Sequence, residues 1–436
     1  MPGGLMQLNY AASAQAEYIF GNPQITFWKA AYRRHSNFAM ESREISDVST
    51  TADFGETVTY SIARDTADLI HKMYFETTLP ATGGSNVYCP YPGEKLLKKM
   101  SLHIGGVAIE THYSDWIHIW NELSLGTDQK LTYEKMVGHR KSLVIDGSGG
   151  LISVPLQFWF CRNAGLALPR KALDRTTVSI IIDFEVASKM GRSLNNPVHN
   201  MVANTITGSL SNPKLYADYI YLDGDESKRF LASRHEYLIE QVQVAPSIDG
   251  QSINASGTTT VKLNFSHSVK EIIWITKNNA LTSTTDGSGN GINDHFNYSR
   301  GMGSDGSGNL YSALNFHATA ENVVGNLTYN DDPMTEAKIL FNGEDRISAG
   351  NRNAQYFNLV QPYYHHTGHP SPGIYVYSFA LRPEEYQPSG SVNMSRIDDQ
   401  KLTMSFNGTS QNKLIAFGLN YNILVITDGL ANLVWS

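Results

Sequence analysis

The chain has 436 residues and a mass of 48.3 kDa, more than one hydrophobic core comfortably serves, and that length suits about two to three domains. Its 34 basic and 41 acidic residues leave a net charge of −7 with histidine neutral. That balance is poor for wrapping phosphate backbones, so no specific nucleic acid is expected as a partner. With 41% hydrophobic and 17% charged residues, the composition excludes a disordered or coiled-coil chain, and 36 Gly, 23 Tyr and 17 Phe favour strands joined by tight turns.

Cys89 and Cys161 are too few for a disulfide scaffold or a four-cysteine zinc site, and read as two reduced thiols. The start, Met1-Pro2-Gly3-Gly4-Leu5-Met6, has neither a basic nor an apolar signal region. No apolar run approaches the ~20 residues of a membrane span. A soluble product synthesised in the cytoplasm is the expectation.

Residues 1–22 lack strand alternation yet carry Leu5, Leu8, Tyr10, Tyr18, Ile19 and Phe20, and read as an N-terminal arm. From there the dominant period is two, which sends one row of side chains into a core and the other outward. Strands are expected near 38–46, 56–62, 68–77, 97–104, 107–112, 152–160, 176–185 and 214–222. Gly105-Gly106 between the fourth and fifth is a two-residue hairpin turn. The best helical spacing is Trp116-Ile117-Trp120-Leu123, with Ser114 and Asp115 as candidate caps.

The polar stretch from Asp223 to His235 reads as a linker, with a short helix through Arg229-Phe230-Leu231. A second set of strands follows near 236–244, 259–266, 269–277, 336–341, 344–348, 373–381, 399–406 and 415–427, with Asn342-Gly343 as its hairpin turn. Each set holds about eight strands, the number of a jelly roll, and elements echo in order between the halves. The fold class is therefore all-β: two consecutive eight-stranded antiparallel jelly rolls with short helical insertions, over 23–222 and 236–436. Residues 278–334, rich in Gly, Ser, Asn and Asp, read as a long loop that projects from the second roll instead of filling it. On that reading, replacing 283–330 with a short Gly-Ser linker leaves assembly of the chain intact and alters only the outer surface.

Chemical motifs are sparse. Gly301-Met302-Gly303-Ser304-Asp305-Gly306 spells a dinucleotide fingerprint but lacks the strand and helix that the chemistry needs. The run from Asp286 fails as a calcium loop because its twelfth position is Asn297. His365, His366 and His369 sit among prolines and read as packing or exposed histidines, not zinc ligands. GxSxG and GxxxxGK[ST] are absent. No catalytic residue, cofactor or metal is expected. Six Asn-x-Ser/Thr sequons occur, at Asn254, Asn264, Asn297, Asn326, Asn393 and Asn407. Asn297 and Asn326, in the long loop, are the stronger candidates for glycosylation.

The segment Gly21-Asn22-Pro23-Gln24-Ile25-Thr26-Phe27, then Tyr32-Arg33-Arg34 and Asn37-Phe38-Ala39, resembles the amino-terminal signature of the major capsid proteins of nucleocytoplasmic large DNA viruses, algal-virus type. Further similar segments run in order along the chain: Val154-Pro155-Leu156 with Gly165-Leu166-Ala167-Leu168-Pro169, Asp218-Tyr219-Ile220, and His235-Glu236-Tyr237-Leu238. Tyr375-Val376-Tyr377-Ser378-Phe379-Ala380-Leu381 and Gln387-Pro388-Ser389-Gly390 complete them. The resemblance implies a double jelly roll that forms homotrimeric, pseudo-hexagonal capsomers tiling an icosahedral shell around an internal membrane. Neighbouring capsomers, minor capsid proteins, the membrane side of the shell and glycans are the partners it implies, and the virion is the location. The alternatives are a minor capsid paralogue, or a carbohydrate-binding or carbohydrate-active β-sandwich, since jelly rolls also serve lectins and cupins.

Overall fold

The computed structural model describes residues 2–10, 14–49, 51–64, 66–83, 86–139, 147–195, 200–254, 257–278, 293–299, 303–304, 310–311, 332–347, 351–406 and 413–435. Met1–Asn37 separates as a unit of its own. It carries helices Gly3–Tyr10 and Ala14–Phe20 where the sequence suggested no regular element. Leu8, Ile19, Ile25, Phe27, Trp28 and Tyr32 are all exposed on it.

Phe38–Ser436 forms the second unit and holds two antiparallel β-sandwiches. In the first, one sheet runs Phe38–Glu44, Ser211–Leu222, Leu69–Leu79, Gly150–Pro155. The facing sheet runs Thr57–Ile62, Val178–Phe184, Leu97–Ile104, Val107–Tyr113, with the short strand Asp47–Val48 outside Thr57–Ile62. Counting these eight main strands along the chain, the sheets read 1-8-3-6 and 2-7-4-5. The alternation in Val178–Phe184 does what its period demands: Val178, Ile180, Ile182 and Phe184 are buried and the residues between them are half-buried.

The second sandwich repeats that order. Its sheets are His235–Ala245, Lys413–Thr427, Ser268–Lys277, Ile374–Ser378 and Gly257–Lys262, Gln400–Phe406, Met334–Phe341, Glu344–Asp345, again 1-8-3-6 and 2-7-4-5. Two sandwiches with one strand order make the chain a double jelly roll. Among the described residues no strand ladder joins them. The connection is helix Gly224–Ala232, opened by Asp223 with Asp225 and Glu226 in its first turn. Its Ser227 donates to Asp68 Oδ1 at 2.6 Å, and Asp68 also holds Lys171 at 2.9 Å.

Both hairpin turns form as the dipeptides require. Gly105 and Gly106 have φ of 63° and 82° between the paired Ile104 and Val107. Asn342 and Gly343 have φ of 52° and 87° between Phe341 and Glu344. Asn342 Oδ1 also accepts from Asp399 N at 3.0 Å. Asn342→Ala is expected to lower stability by about 1–2 kcal/mol, the cost of a left-handed alanine, read as a lower denaturant midpoint at constant slope.

Three local expectations are corrected. The strand expected over 152–160 stops at Pro155, and Trp159–Arg162 is a helical turn. Alternation over 152–160 would put Trp159 on the opposite face from the core row Ile152, Val154 and Leu156, but it too is buried, with its backbone N–H on Glu110. Asp115 does not cap its helix, which begins at Ser114, but reaches across to the second sandwich. Helices Pro92–Leu96, Thr127–Met136 and the longer Gly224–Ala232 add to the helical insertions.

Candidate functional site

In a protein built of two sandwiches, their junction decides whether the chain acts as one body. The strand Ser268–Lys277 is buried along nearly its whole length. Ile272 and Trp274 point into the core of the second sandwich. Ile273 and Ile275, on the opposite face, pack into the core shared with the first. The neighbouring strands divide the same way, sending Ile374, Val376, Ile415 and Phe417 toward the first sandwich. Phe417 meets Trp116 at 5.5 Å. A fully buried side chain of this kind contributes about 1.5–3 kcal/mol, so six contribute on the order of 10 kcal/mol.

Polar groups fasten the junction at two places. At the first, residues 293–299 of the long segment enter the body. Asn293, Asp294, His295, Phe296, Asn297, Tyr298 and Ser299 are each at most 5% exposed. Asp294 Oδ1 lies 2.7 Å from Arg192 Nη2, an ion pair at 2% and 0% side-chain exposure. Arg192 Nε and Nη2 also donate to the Asn293 carbonyl, and the Asn293 amide donates to the carbonyls of Ser188 and Gly191. Phe296 stacks on His118 at 4.5 Å. Tyr298 donates to Asp115 Oδ1 at 2.9 Å, and Lys277 donates to Asp115 Oδ2 at 2.6 Å. Burial pushes the Asp115 carboxyl up, but Lys277 and Tyr298 outweigh it and hold it below the usual range. Burial drives His295 well below its ordinary value, so it is neutral and donates Nε2–H to the Lys189 carbonyl.

At the second place, Arg162 of the first sandwich donates to Glu240 of the second at 2.7 Å and lies 4.4 Å over Trp120. Lys270, fully buried, donates to Glu240 and to the Pro383 carbonyl. Beside it, the buried His366 ring faces Glu271 at 3.1 Å and Glu384 at 3.0 Å. The Glu271 contact is close but too misaligned for a hydrogen bond. Glu384 additionally accepts from the Thr367 N–H and hydroxyl.

Arg162–Glu240, Arg192–Asp294 and Asp115–Lys277 join the sandwiches, whereas His366, Glu271 and Glu384 pair within the second. Among the described residues no three His, Cys, Asp or Glu converge as a metal site, and no helix is long and apolar enough to cross a membrane. Of the three clustered histidines, His366 is the buried ion-pair partner, His365 contacts the Leu381 carbonyl, and His369 is exposed. Cys89 and Cys161 are free thiols. The dinucleotide-like run and the calcium-like run lie largely outside the described residues.

The expectation that 278–334 only projects outward is corrected for 293–299, because paired polar groups and two aromatic rings make that stretch core. Replacing 283–330 would remove it. Asn297 is corrected with it: its amide donates to Asp294 Oδ2 at 2.9 Å, and its Oδ1 accepts from the Ser299 hydroxyl at 2.6 Å. Both sequon side chains are thus occupied inside the protein. Asn326 and Asn407 lie outside the described residues, whereas Asn254, Asn264 and Asn393 are exposed. Asn264 lies beyond the end of its strand, with φ of 51°.

Two family models match in succession: "Major capsid protein N-terminus" over residues 26–223 and "Large eukaryotic DNA virus major capsid protein" over residues 226–432. The chain is 36% identical to the major capsid protein of Phaeocystis pouchetii virus and 38% identical to that of Pyramimonas orientalis virus, over 100% of each chain. A solved chain of the PBCV-1 virus capsid superposes with a TM-score of 0.75 at 29% identity, covering 94% of this chain and 100% of that one. The Faustovirus major capsid protein shares the fold at a TM-score of 0.69 and 13% identity. The two successive models meet at the helix that connects the two sandwiches. The chain belongs to the major capsid proteins of large eukaryotic DNA viruses, and its role is structural.

Proposed function

We propose that this chain forms homotrimeric, pseudo-hexagonal capsomers that tile an icosahedral shell, with no catalytic step. One observation carries the reading: both sandwiches have the same strand order and are fused through a buried junction. Each chain then presents two similar edges in fixed orientation, and three chains closing by heterologous contacts present six. The domain division that goes with it is an arm over 1–22, a first jelly roll over 23–222, a linker over 223–235 and a second jelly roll to the end. Exposed apolar side chains on the arm suit contact with neighbouring capsomers, minor capsid proteins or the membrane side of the shell. Asn326 is the favoured candidate for a glycan on sequence grounds, and among the described residues Asn254, Asn264 and Asn393 are accessible. Synthesis in the host cytoplasm and residence in the virion follow from this role.

Sedimentation tests it. At micromolar concentration and neutral pH the full chain is expected at three times its 48.3 kDa mass. A chain lacking residues 1–20 is expected to stay trimeric yet be impaired in building shells. A full chain that stays monomeric overturns the trimer, and normal shells without the arm overturn the arm's role.

A further inference from the structure

Helix Gln361–His365 and the loop 381–386 together expose four large side chains to solvent. Tyr363 is 81% exposed, Tyr364 71%, Leu381 74% and Tyr386 60%. The two segments are in contact. The Tyr363 and Tyr364 rings meet edge-on at 5.2 Å, and the His365 ring donates Nδ1–H to the Leu381 carbonyl at 3.1 Å. Glu384, within the loop, holds His366 and Thr367 just beyond the helix.

The loop is pinned. The Leu381 N–H donates to the Ser389 carbonyl, the Arg382 N–H donates to Ser389 Oγ, and buried Lys270 donates to the Pro383 carbonyl. A loop held at so many points cannot fold Leu381 or Tyr386 back into the core. Single exposed apolar residues such as Val107 or Leu151 are ordinary; four on two segments that touch, one of them a pinned loop, are the mark of a contact surface. Beside Tyr386 a recess of about 120 Å³, lined by Trp159, Arg162 and Leu166, gives a protruding side chain somewhere to go.

Area and charge indicate what covers this face. Aromatic side chains bury about 150–250 Å² each, so three exposed tyrosines and a leucine offer roughly 500 Å². A standard interface takes about 800 Å² from each partner, so the patch is large enough to form the centre of one. The charges around it are paired: Arg382 with Glu385, Arg162 with Glu240, and Glu384 with the His366 ring beneath it. On a chain of net charge −7, a locally neutral apolar face is where two copies approach with least repulsion.

We propose that the Tyr363–Tyr364–Leu381–Tyr386 face is an interface between copies of this chain, and that a second copy covers it in the solution oligomer. This rests on the self-assembly reading above. The test compares three full-length proteins by sedimentation over a concentration series: the unaltered chain, the triple variant Tyr363→Ser, Leu381→Ser, Tyr386→Ser, and the control Val107→Ser, Leu131→Ser, Leu151→Ser. The patch variant is expected to dissociate at 100-fold or more higher concentration than the unaltered chain, about 2.7 kcal/mol, while the control stays within about threefold. Should the triple variant misfold, Leu381→Glu alone poses the same question through the penalty of burying a charge in the contact. An unaltered oligomer in the patch variants overturns the proposal and leaves self-assembly standing. A monomeric unaltered chain overturns self-assembly itself.

Discussion

Arg192→Leu is expected to lower the unfolding free energy by about 3–5 kcal/mol, the usual consequence of removing one partner from a buried ion pair. Both side chains of the Arg192–Asp294 pair are almost wholly out of water. The substitution takes the counter-charge from a carboxylate that cannot reach solvent, and it also removes the two donors on the Asn293 carbonyl. Asp294→Leu should cost a similar amount by stranding the guanidinium. The double substitution should cost less than the sum of the singles, because two apolar side chains leave no charge buried alone. Denaturant unfolding of the four proteins measures this directly. A single variant within 1 kcal/mol of the unaltered chain would show that 293–299 is not held as described.

The same segment shows where sequence reading stops. The main strands were legible because each sandwich core is fed by period-two rows, such as Val178, Ile180 and Ile182, and because Gly105-Gly106 and Asn342-Gly343 admit the turns that separate them. Residues 293–299 were not. Asn, Asp, His and Ser are the composition of a surface loop, and only their pairing with Arg192, about a hundred positions away, makes burial tolerable. The one local hint is Phe296 and Tyr298, two aromatics in a stretch poor in aliphatic residues. Likewise Thr127–Met136 buries only Tyr133 and Glu134, so no apolar stripe announces a helix there. The junction itself left a trace that period-two reading passes over. Ile272-Ile273-Trp274-Ile275, Ile374-Tyr375-Val376-Tyr377 and Leu414-Ile415-Ala416-Phe417 are apolar at both parities, as strands covered on both faces must be.

The second large effect concerns alkaline pH. Burial works to lower the pKa of His366, but the charge of Glu271 and the hydrogen bond to Glu384 outweigh it and raise it from 6.5 to about 9. Burial likewise works to raise Glu384, which its bonds to His366 and Thr367 hold below the usual carboxylate range. A shift of that size corresponds to on the order of 3 kcal/mol. Because the folded value lies above the unfolded one, this stabilisation is fully present below pH 6.5 and is lost as pH rises through about 9. Deprotonation strands Glu271, whose oxygens make no well-aligned hydrogen bond, next to the Lys270–Glu240–Arg162 chain that ties the two sandwiches. The diagnostic quantity is the difference between the unaltered chain and His366→Gln, in which the contributions of all other groups cancel. At pH 6 the variant should be less stable by about 3 kcal/mol. At pH 10 the two should converge, since neither then carries a charge between the two glutamates. Equal stability at pH 6, or a gap that persists unchanged to pH 10, would mean that the charge on His366 does not stabilise this part of the second sandwich.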